Sequence, residues 1–163
     1  MRESEPAKHS TSRNTGVVHR PFFLPPDAKA TVESWIGSYH LWRELAIKKG
    51  LKFEVNGQLE VARDYREIAV LRRHQEWARL NGMEDDEIAY LEGDEVRKLL
   101  PESLAEGALM SRSEANVNYG ELVEELFREI SGSVKFIGGF KVESVSERGE
   151  KVAVGGLLRG SRY

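Results

Sequence analysis

The 163-residue chain contains no cysteine, which excludes disulfides, thiolate chemistry and cysteine zinc sites. Neither charge dominates, since 24 Lys and Arg stand against 27 Asp and Glu, and the basic residues are scattered. Composition therefore gives no electrostatic case for nucleic acid or an anionic membrane as partner. Apolar runs fall short of the roughly 18 residues of a membrane span, and no secretory signal is predicted. These absences favour a soluble globular protein and are compatible with a cytoplasmic setting.

Several motifs that carry chemistry are also missing. None of the 15 glycines belongs to a GxGxxG or a P-loop, and no serine stands in a Gly-x-Ser-x-Gly turn. The four histidines lack metal-ligand spacing, so no metal site is predicted. His74 falls on an apolar helix face and is interpreted as a core histidine, and His40 is interpreted in the same way. The chain does not encode a self-sufficient nucleotide-binding domain.

Helix and strand signals are plentiful. A helix of about 22 residues is expected from an N-cap at Asp27 to a stop at Gly50, and a second is expected from Asp64 to about residue 80. Asn56-Gly57 between two short apolar runs predicts a β-hairpin. The remaining predicted elements are a strand at 88–91, a small helix from Asp94 to Pro101, a strand at 108–110, a helix from Asn118 to Gly132, and strands at 134–137, 140–145 and 152–154. This order predicts an α+β fold, with a mixed or antiparallel sheet and three to four helices.

The loop at residues 10–16 has an unusual composition. Five small polar residues and one glycine precede the apolar pair Val17-Val18, and His19 closes the run. Consecutive backbone N–H groups with serine and threonine hydroxyls make a concavity suited to anions, and Asn14 can both donate and accept. A solvated N-terminal tail is the alternative interpretation. The abrupt change to apolar residues next to the titratable His19 favours a binding loop.

The run Thr11-Ser12-Arg13-Asn14-Thr15-Gly16-Val17-Val18-His19 resembles a segment of the FAD-dependent oxidoreductases of the D-amino-acid oxidase superfamily. The likeness is greatest to the L-2-hydroxyglutarate oxidase and glycerol-3-phosphate dehydrogenase-like branch. Further similarities follow in family order at residues 57–62, 92–101, 118–120 and 142–145, and together they cover nearly the whole chain. Two positions depart from the pattern: Asn118 replaces an aspartate, and Arg20-Pro21 follows the histidine in place of Ala-Gly or Gly-Gly. The family's GxGxxG segment is not present.

The resemblance implies roles for individual residues. FAD would be the cofactor of the complete enzyme, with the flavin lined by Thr11, Ser12, Arg13, Asn14 and Thr15. Val142 would face the adenine through its backbone. His19 would lie near the isoalloxazine and accept the substrate proton while hydride leaves for the flavin, because imidazole titrates near working pH. Arg20 and Arg112 are candidates for holding a substrate carboxylate, since the guanidinium matches that geometry.

Three parts are expected along the chain: a FAD-facing loop and linker at 1–26, a substrate or cap-like domain at 27–132, and a hairpin of an incomplete FAD-binding domain at 133–163. The predicted function is part of an oxidoreductase for a small 2-hydroxy acid, glycerol phosphate or amino acid. Alone, the chain would bind FAD weakly or not at all and turn nothing over. A second chain supplying the missing dinucleotide-binding fold would make it a subunit of a split flavoenzyme.

The alternative from a different class is a non-catalytic interaction module. The two hypotheses differ in the surface they expect. A part of a larger enzyme should expose apolar residues at Val17-Val18 and along the C-terminal strands, whereas a self-contained module should bury them.

Overall fold

The computed structural model describes residues 3–162, which contain four α-helices and three small antiparallel sheets. This confirms the α+β fold class. The described residues form two compact units, one made of residues 16–117 and the other of residues 3–15 with 118–162. The three-part division expected from the sequence stays a prediction. Among the helices of residues 3–162, none is long and apolar enough to cross a membrane.

Helix α1, Lys29–Lys49, ends at Gly50, whose φ of +66° is the left-handed conformation expected of a glycine stop. The prediction that Asp27 caps its start is wrong. The N-cap residue is Ala28, which offers no side-chain cap. Its N–H bonds the Pro25 carbonyl, so a turn occupies residues 25–28 before the helix begins.

Two further helices complete unit 16–117. Helix α2, Tyr65–Leu80, begins as predicted after Asp64, whose carboxylate accepts from the N–H groups of Arg66 and Glu67. Helix α3, Gly93–Leu99, follows Glu92 rather than the expected Asp94, because the Glu95 carboxylate accepts from the Glu92 N–H and closes the first turn there.

Unit 16–117 holds two three-stranded sheets. The strands are β1 (Val17–Val18), β2 (Phe53–Val55), β3 (Gln58–Ala62), β4 (Ile88–Glu92), β5 (Gly107–Ser111) and β6 (Ala115–Val117). One sheet has the order β1-β6-β2 and the other β3-β5-β4, and every pairing is antiparallel. The core cluster packs α2 against the second sheet; it consists of Phe22, Ala62, Leu71, Ala78, Met83, Ile88 and Leu109.

The predicted hairpin at Asn56-Gly57 is wrong, although both of its strands exist. β2 pairs with β6 and β3 with β5. β2 and β3 therefore do not pair with each other, and the chain continues from one into the other without reversing. Gly57 has φ +74°, and a Cβ there would lie 2.8 Å from the Ser111 carbonyl oxygen. The glycine serves a close approach between neighbouring strands rather than a chain reversal.

The junction between these strand pairs contains an extra residue. Val55 pairs with Ala115 and Gln58 with Ser111, so two residues on one side, 56 and 57, face three on the other, 112–114. The N–H groups of Asn56 and Gly57 both donate to the Glu114 carbonyl, at 3.2 and 3.0 Å. Residues 112–114 therefore link β5 of one sheet to β6 of the other and lie outside both strands. The side chain of Glu114 in this link is buried, with 1% of its surface exposed.

The second unit contains α4 (Tyr119–Ile130) and a sheet of β7 (Phe140–Arg148), β8 (Lys151–Leu158) and β9 (Ser161–Arg162) in that order. Asn118 caps α4 as predicted, accepting from the N–H groups of Gly120 and Glu121. A two-residue turn, Gly149-Glu150, joins β7 to β8. The predicted strand at 134–137 is wrong: these residues are irregular, and Phe136 packs on Phe127 of α4, 5.0 Å between ring centroids.

A part of a larger enzyme is expected to expose apolar residues at Val17-Val18 and along the C-terminal strands, and the structure shows this exposure only along the C-terminal strands. Val18 is buried, with 3% of its surface exposed. The valines of β7 and β8 are about half or more exposed; these are Val142, Val145, Val152 and Val154. Pairing with β6 protects the first site, whereas the hairpin faces remain open.

Candidate functional site

His19 follows directly after β1 and is held on three sides. Its Nδ1 lies 3.0 Å from Oε2 of Glu114. The imidazole stacks on Trp35, 5.8 Å between centroids, and the Phe23 ring lies perpendicular to it, 5.5 Å between centroids. About a third of the side chain, 31%, remains exposed. The ring therefore has a defined orientation and one accessible part.

Glu114 is the buried centre of this arrangement, with 1% of its side chain exposed. Its Oε1 accepts from the backbone N–H of Arg20 at 2.8 Å and from the Ser111 hydroxyl at 3.1 Å. A carboxylate removed from water is costly unless donors replace its hydration, and these donors do so. The sequence reasoning missed Glu114. Its only local signal is a single acidic residue between two apolar strand runs, which equally describes an exposed turn.

Arg20 is largely enclosed, with 12% of its side chain exposed. Its Nη2 donates to both carboxylate oxygens of Glu87, at 3.2 and 3.4 Å. The guanidinium lies 5.1 Å from the centroid of the Tyr39 ring, a cation–π distance. The substrate-binding role expected of Arg20 stays a prediction, and its charge already has a partner within the fold.

Burial and charge act on the neighbours of Arg20. Burial by itself raises the pKa of Glu87, but hydrogen bonds, including one from the Glu84 N–H, and the charge of Arg20 outweigh it and hold the pKa below its ordinary value. Burial raises the pKa of the Tyr39 phenol, which donates to the Ser113 carbonyl at 2.7 Å. Glu87 is thus the ionised partner of Arg20, while Tyr39 stays a neutral donor.

Arg112, the other candidate for a substrate carboxylate, is exposed. Its Nη1 donates to the Asp86 carbonyl at 2.8 Å, and its backbone N–H donates to the Glu87 carbonyl. Both candidate arginines thus contact the same acidic segment, residues 84–87. Whether they bind substrate stays a prediction.

The candidate cofactor residues all lie in the unit of residues 3–15 and 118–162, whereas His19, Arg20 and Arg112 lie in unit 16–117. Residues Ser10–Ser12 form one 3₁₀ turn. The Ser12 hydroxyl donates to the His9 carbonyl at 3.2 Å, and the Asn14 amide donates to the Thr11 carbonyl at 3.0 Å. Val142 is half exposed on β7, beside a break in the strand register. No contact tests the predicted cofactor roles of Thr11, Ser12, Arg13, Asn14, Thr15 and Val142.

Flavin dinucleotides need a diphosphate cradle, usually a glycine-rich turn from a strand into a helix. In residues 3–162, α2, α3 and α4 follow strands closely, and each has its first turn closed by its own side chain, from Asp64, Glu95 and Asn118 respectively. Two of these caps are carboxylates, which repel a phosphate. A contact of the loop at residues 10–16 with a phosphate-bearing cofactor stays a prediction, and the described residues contain no main diphosphate cradle.

A second histidine–carboxylate pair lies in the same unit as His19. His74 on α2 has its Nδ1 2.9 Å from Oε2 of Glu60 on β3, and 13% of its side chain is exposed. Its ring packs on Trp77 and lies 6.4 Å from Phe23. This confirms the interpretation of His74 as a histidine satisfied within the fold. The same interpretation is wrong for His40, which is exposed. Within residues 3–162, no group of three or more histidine, aspartate and glutamate residues is placed to hold a metal ion.

The class of the protein follows from comparison with known families. Residues 2–162 match the DAO family, described as FAD dependent oxidoreductase, and the chain belongs to this family. FAD is the family's cofactor. The match includes residues 11–19, which carry the resemblance in the sequence.

Individual relatives sharpen this assignment. The chain is 27% identical over 140 residues to an L-2-hydroxyglutarate dehydrogenase of Indibacter alkaliphilus, a match covering 84% of this chain and 34% of the relative. It is 25% identical over 137 residues to the L-2-hydroxyglutarate dehydrogenase of Escherichia coli K12, covering 82% and 31%. The chain thus spans about a third of the length of these curated relatives.

Solved structures confirm the fold. An FAD-bound L-alpha-glycerophosphate oxidase from Mycoplasma pneumoniae superposes with a TM-score of 0.74 at 17% identity, covering 94% of this chain and 41% of that one. A glycine oxidase from Geobacillus kaustophilus gives 0.73 at 14% identity, covering 99% and 44%.

Proposed function

We propose that this chain supplies the substrate-side part of an FAD-dependent oxidoreductase that oxidises a CH–OH or CH–NH group of a small 2-hydroxy acid, glycerol phosphate or amino acid. The observation that carries the proposal is the anchored, partly exposed imidazole of His19. The names of the relatives, which include a 2-hydroxyglutarate dehydrogenase and a glycerophosphate oxidase, support this substrate range. A cytoplasmic location belongs to the same proposal, because a chain without cysteine needs no oxidising compartment.

His19 performs the proton transfer in this proposal. FAD, when bound, supplies the acceptor for the hydride that leaves the substrate carbon. His19 takes the proton of the substrate hydroxyl or amine, and the electron pair of the broken O–H or N–H bond forms the C=O or C=N bond. The imidazolium then lies against the Glu114 carboxylate, 3.0 Å away, which stabilises its charge.

The two candidate arginines would hold the acidic group of the substrate. Arg112 is exposed and offers its guanidinium directly. Arg20 is paired with Glu87, so a substrate carboxylate would share it or compete with Glu87. We therefore propose Arg112 as the first contact and Arg20 as the deeper one.

The isolated chain is proposed to bind FAD weakly and to turn nothing over, because the helices that follow its strands have capped N-termini. Thr11, Ser12, Arg13, Asn14, Thr15 and Val142 would add contacts to FAD in the complete enzyme. A second chain that supplies the diphosphate cradle belongs to this proposal. The interaction-module alternative expects both Val17-Val18 and the C-terminal strands to be buried. Val18 is buried, but the half-exposed valines of β7 and β8 disfavour the alternative.

Flavin titration of the purified chain tests the cofactor part. Tryptophan fluorescence and flavin absorbance should show no saturation up to about millimolar FAD, which corresponds to a binding free energy no stronger than about −4 kcal/mol. Tight, saturable binding with a perturbed flavin spectrum would contradict the weak-binding proposal.

A chimera tests the substrate part. Residues 16–117 replace the matching segment of the Escherichia coli relative, and preparations that carry FAD are assayed with L-2-hydroxyglutarate, glycerol phosphate and glycine. We expect oxidation of at least one donor and a loss of about 10²–10⁴-fold in His19→Asn. His74→Asn is the matched control and should retain activity. An FAD-loaded chimera that oxidises none of the three overturns the proposal.

A further inference from the structure

We propose that Glu114 is a positioning residue that holds His19 in the tautomer protonated at Nδ1, so that Nε2 carries the lone pair. The inference rests on the proposed function for its chemical consequence, since the lone pair at Nε2 is what accepts the substrate proton. The tautomer itself is a property of this chain alone.

The geometry determines which atoms of Glu114 face which partners. The Arg20 backbone N–H is a donor only, and it points at Oε1 from 2.8 Å. The Ser111 hydroxyl donates to the same oxygen from 3.1 Å. Both donors are fixed by the fold, Arg20 N by the chain after β1 and Ser111 by the end of β5. Oε1 is therefore committed, and Oε2 is left to accept from His19.

The packing around the imidazole determines which of its nitrogens faces Glu114. Trp35 stacks on one face and the Phe23 ring stands perpendicular to the imidazole, so the ring cannot turn Nε2 toward Glu114 without leaving both aromatic contacts. Within residues 3–162, Nε2 of His19 makes no hydrogen bond. A carboxylate at Nδ1 accepts the proton of that nitrogen, and in a neutral imidazole the other nitrogen then has the free pair.

The decisive variant is Glu114→Gln. The committed position at Oε1 needs an acceptor, so the glutamine oxygen must lie there and its NH₂ must lie at the position of Oε2. That NH₂ donates toward Nδ1, which must then accept, and the proton of the neutral ring moves to Nε2. The change keeps size and shape, yet it inverts the tautomer. Replacing the orienting aspartate of a serine-protease triad by asparagine has this effect and lowers kcat about 10⁴-fold.

The chain offers a matched control in the second pair. Within residues 3–162, the side chain of Glu60 accepts only from His74, at 2.9 Å, and it is a third exposed. In Glu60→Gln no second donor commits either amide atom, so the amide can turn its oxygen toward Nδ1 of His74. The tautomer of His74 should survive the same substitution that inverts His19.

The test is ¹⁵N-labelled imidazole NMR of the purified chain, at a pH where both rings are neutral and with no flavin or substrate added. In the unsubstituted chain, His19 should show a pyrrole-type Nδ1 and a pyridine-type Nε2. In Glu114→Gln the two ¹⁵N shifts should exchange, while Glu60→Gln should leave both histidines unchanged. His19→Asn and His74→Asn assign the signals.

Two results would overturn the inference: a pyridine-type Nδ1 for His19 in the unsubstituted chain, or an unchanged His19 pattern in folded Glu114→Gln. If Glu114→Gln does not fold, the spectrum of the unsubstituted chain still decides. Failure of the tautomer inference is distinct from failure of the proposed function, which would appear as an inactive FAD-loaded chimera while the NMR pattern stays as expected.

Discussion

The two histidine–glutamate pairs of unit 16–117 have nearly the same contact distance, 3.0 Å for His19–Glu114 and 2.9 Å for His74–Glu60, but different surroundings. Glu114 is 1% exposed and receives two donors besides the histidine, whereas Glu60 is 33% exposed. Exposure is reversed for the rings, since His19 is 31% exposed and His74 13%. In the His19–Glu114 pair the carboxylate is buried and the imidazole is partly exposed. In the His74–Glu60 pair the carboxylate is the more exposed of the two.

The contrast shows how an ordinary contact becomes suited to chemistry. A pairing distance alone assigns no role, because His74 meets it as a core histidine does. What distinguishes His19 is a carboxylate held by two further donors and an imidazole that is about a third exposed. Held geometry with an open reactive atom is the arrangement that proton transfer requires.

The largest expected difference between the pairs is in stability. Glu114→Ala leaves the Arg20 N–H, the Ser111 hydroxyl and His19 without their acceptor in a buried place, and should lower the free energy of unfolding by about 3 kcal/mol or more. Glu60→Ala breaks a partly exposed contact and should cost about 1 kcal/mol or less. Urea unfolding measures both. Equal losses would remove the energetic distinction between the pairs.

A second substitution perturbs the junction of Gly57 with residues 112–114, which carries Glu114. Gly57→Ala combines a positive φ with a Cβ 2.8 Å from the Ser111 carbonyl oxygen, and should cost about 2–3 kcal/mol. Gly50→Ala is the control, because its φ is also positive but no atom lies within 4 Å, and strain alone should cost about 1 kcal/mol. The imidazole NMR signals of His19 should shift in the first variant only. If the His19 signals shift in neither variant, this junction does not position Glu114.

Acid should weaken the surroundings of His19 through Glu87. The pKa of Glu87 in the folded chain lies below its ordinary value, so on acidification the unfolded chain binds the proton first. The stabilisation from this carboxylate is therefore present above the ordinary pKa and lost as the pH falls through the lower, folded value. Glu87→Gln should cost about 1–2 kcal/mol near neutral pH, and the difference should shrink in acid.

Asp86→Asn is the matched control for Glu87. Within residues 3–162, Asp86 contributes its carbonyl, to Arg112, and its side chain makes no hydrogen bond or ion pair. Unfolding curves should show that the stability difference between Asp86→Asn and the unsubstituted chain stays the same from neutral to acid pH. A Glu87→Gln difference that grows on acidification would mean that the ionised carboxylate of Glu87 does not stabilise the fold.

The smallest effect concerns the residue shared by both pairs. The Phe23 ring lies 5.5 Å from His19 and 6.4 Å from His74, so Phe23→Leu should remove a ring current from both imidazoles at a cost of about 1 kcal/mol. Proton NMR should show both histidines shifting. A shift of His74 alone would mean that Phe23 does not help to hold His19.

Local chemistry made some elements predictable. The caps at Asp64 and Asn118 and the stop at Gly50 were expected because a cap satisfies backbone groups within three residues of itself. Asn56-Gly57 misled because the same residues serve a hairpin or a close strand approach. Which of the two occurs depends on β5 and β6, some fifty residues further on.

His19 is predicted as the candidate base from its neighbours in the chain and from family resemblance, whereas its partner is not predicted. Glu114 is 95 residues away, and nothing in its local sequence separates a buried carboxylate from a surface one. Arg20 likewise has a partner, Glu87, at a separation of 67 residues. Side-chain pairs of this kind are set by strand register, which a single sequence does not reveal.

The α+β class, most helix ends, the family and the candidate base could all be predicted from the amino-acid sequence, because each depends on residues close together or on an ordered set of motifs. Three features required the folded chain: the absence of pairing between β2 and β3, the burial of Glu114 in the link between β5 and β6, and the two further donors that only one of the two similar histidine pairs has. Burial and hydrogen-bond partners depend on which distant strands meet, and local propensity does not specify that meeting.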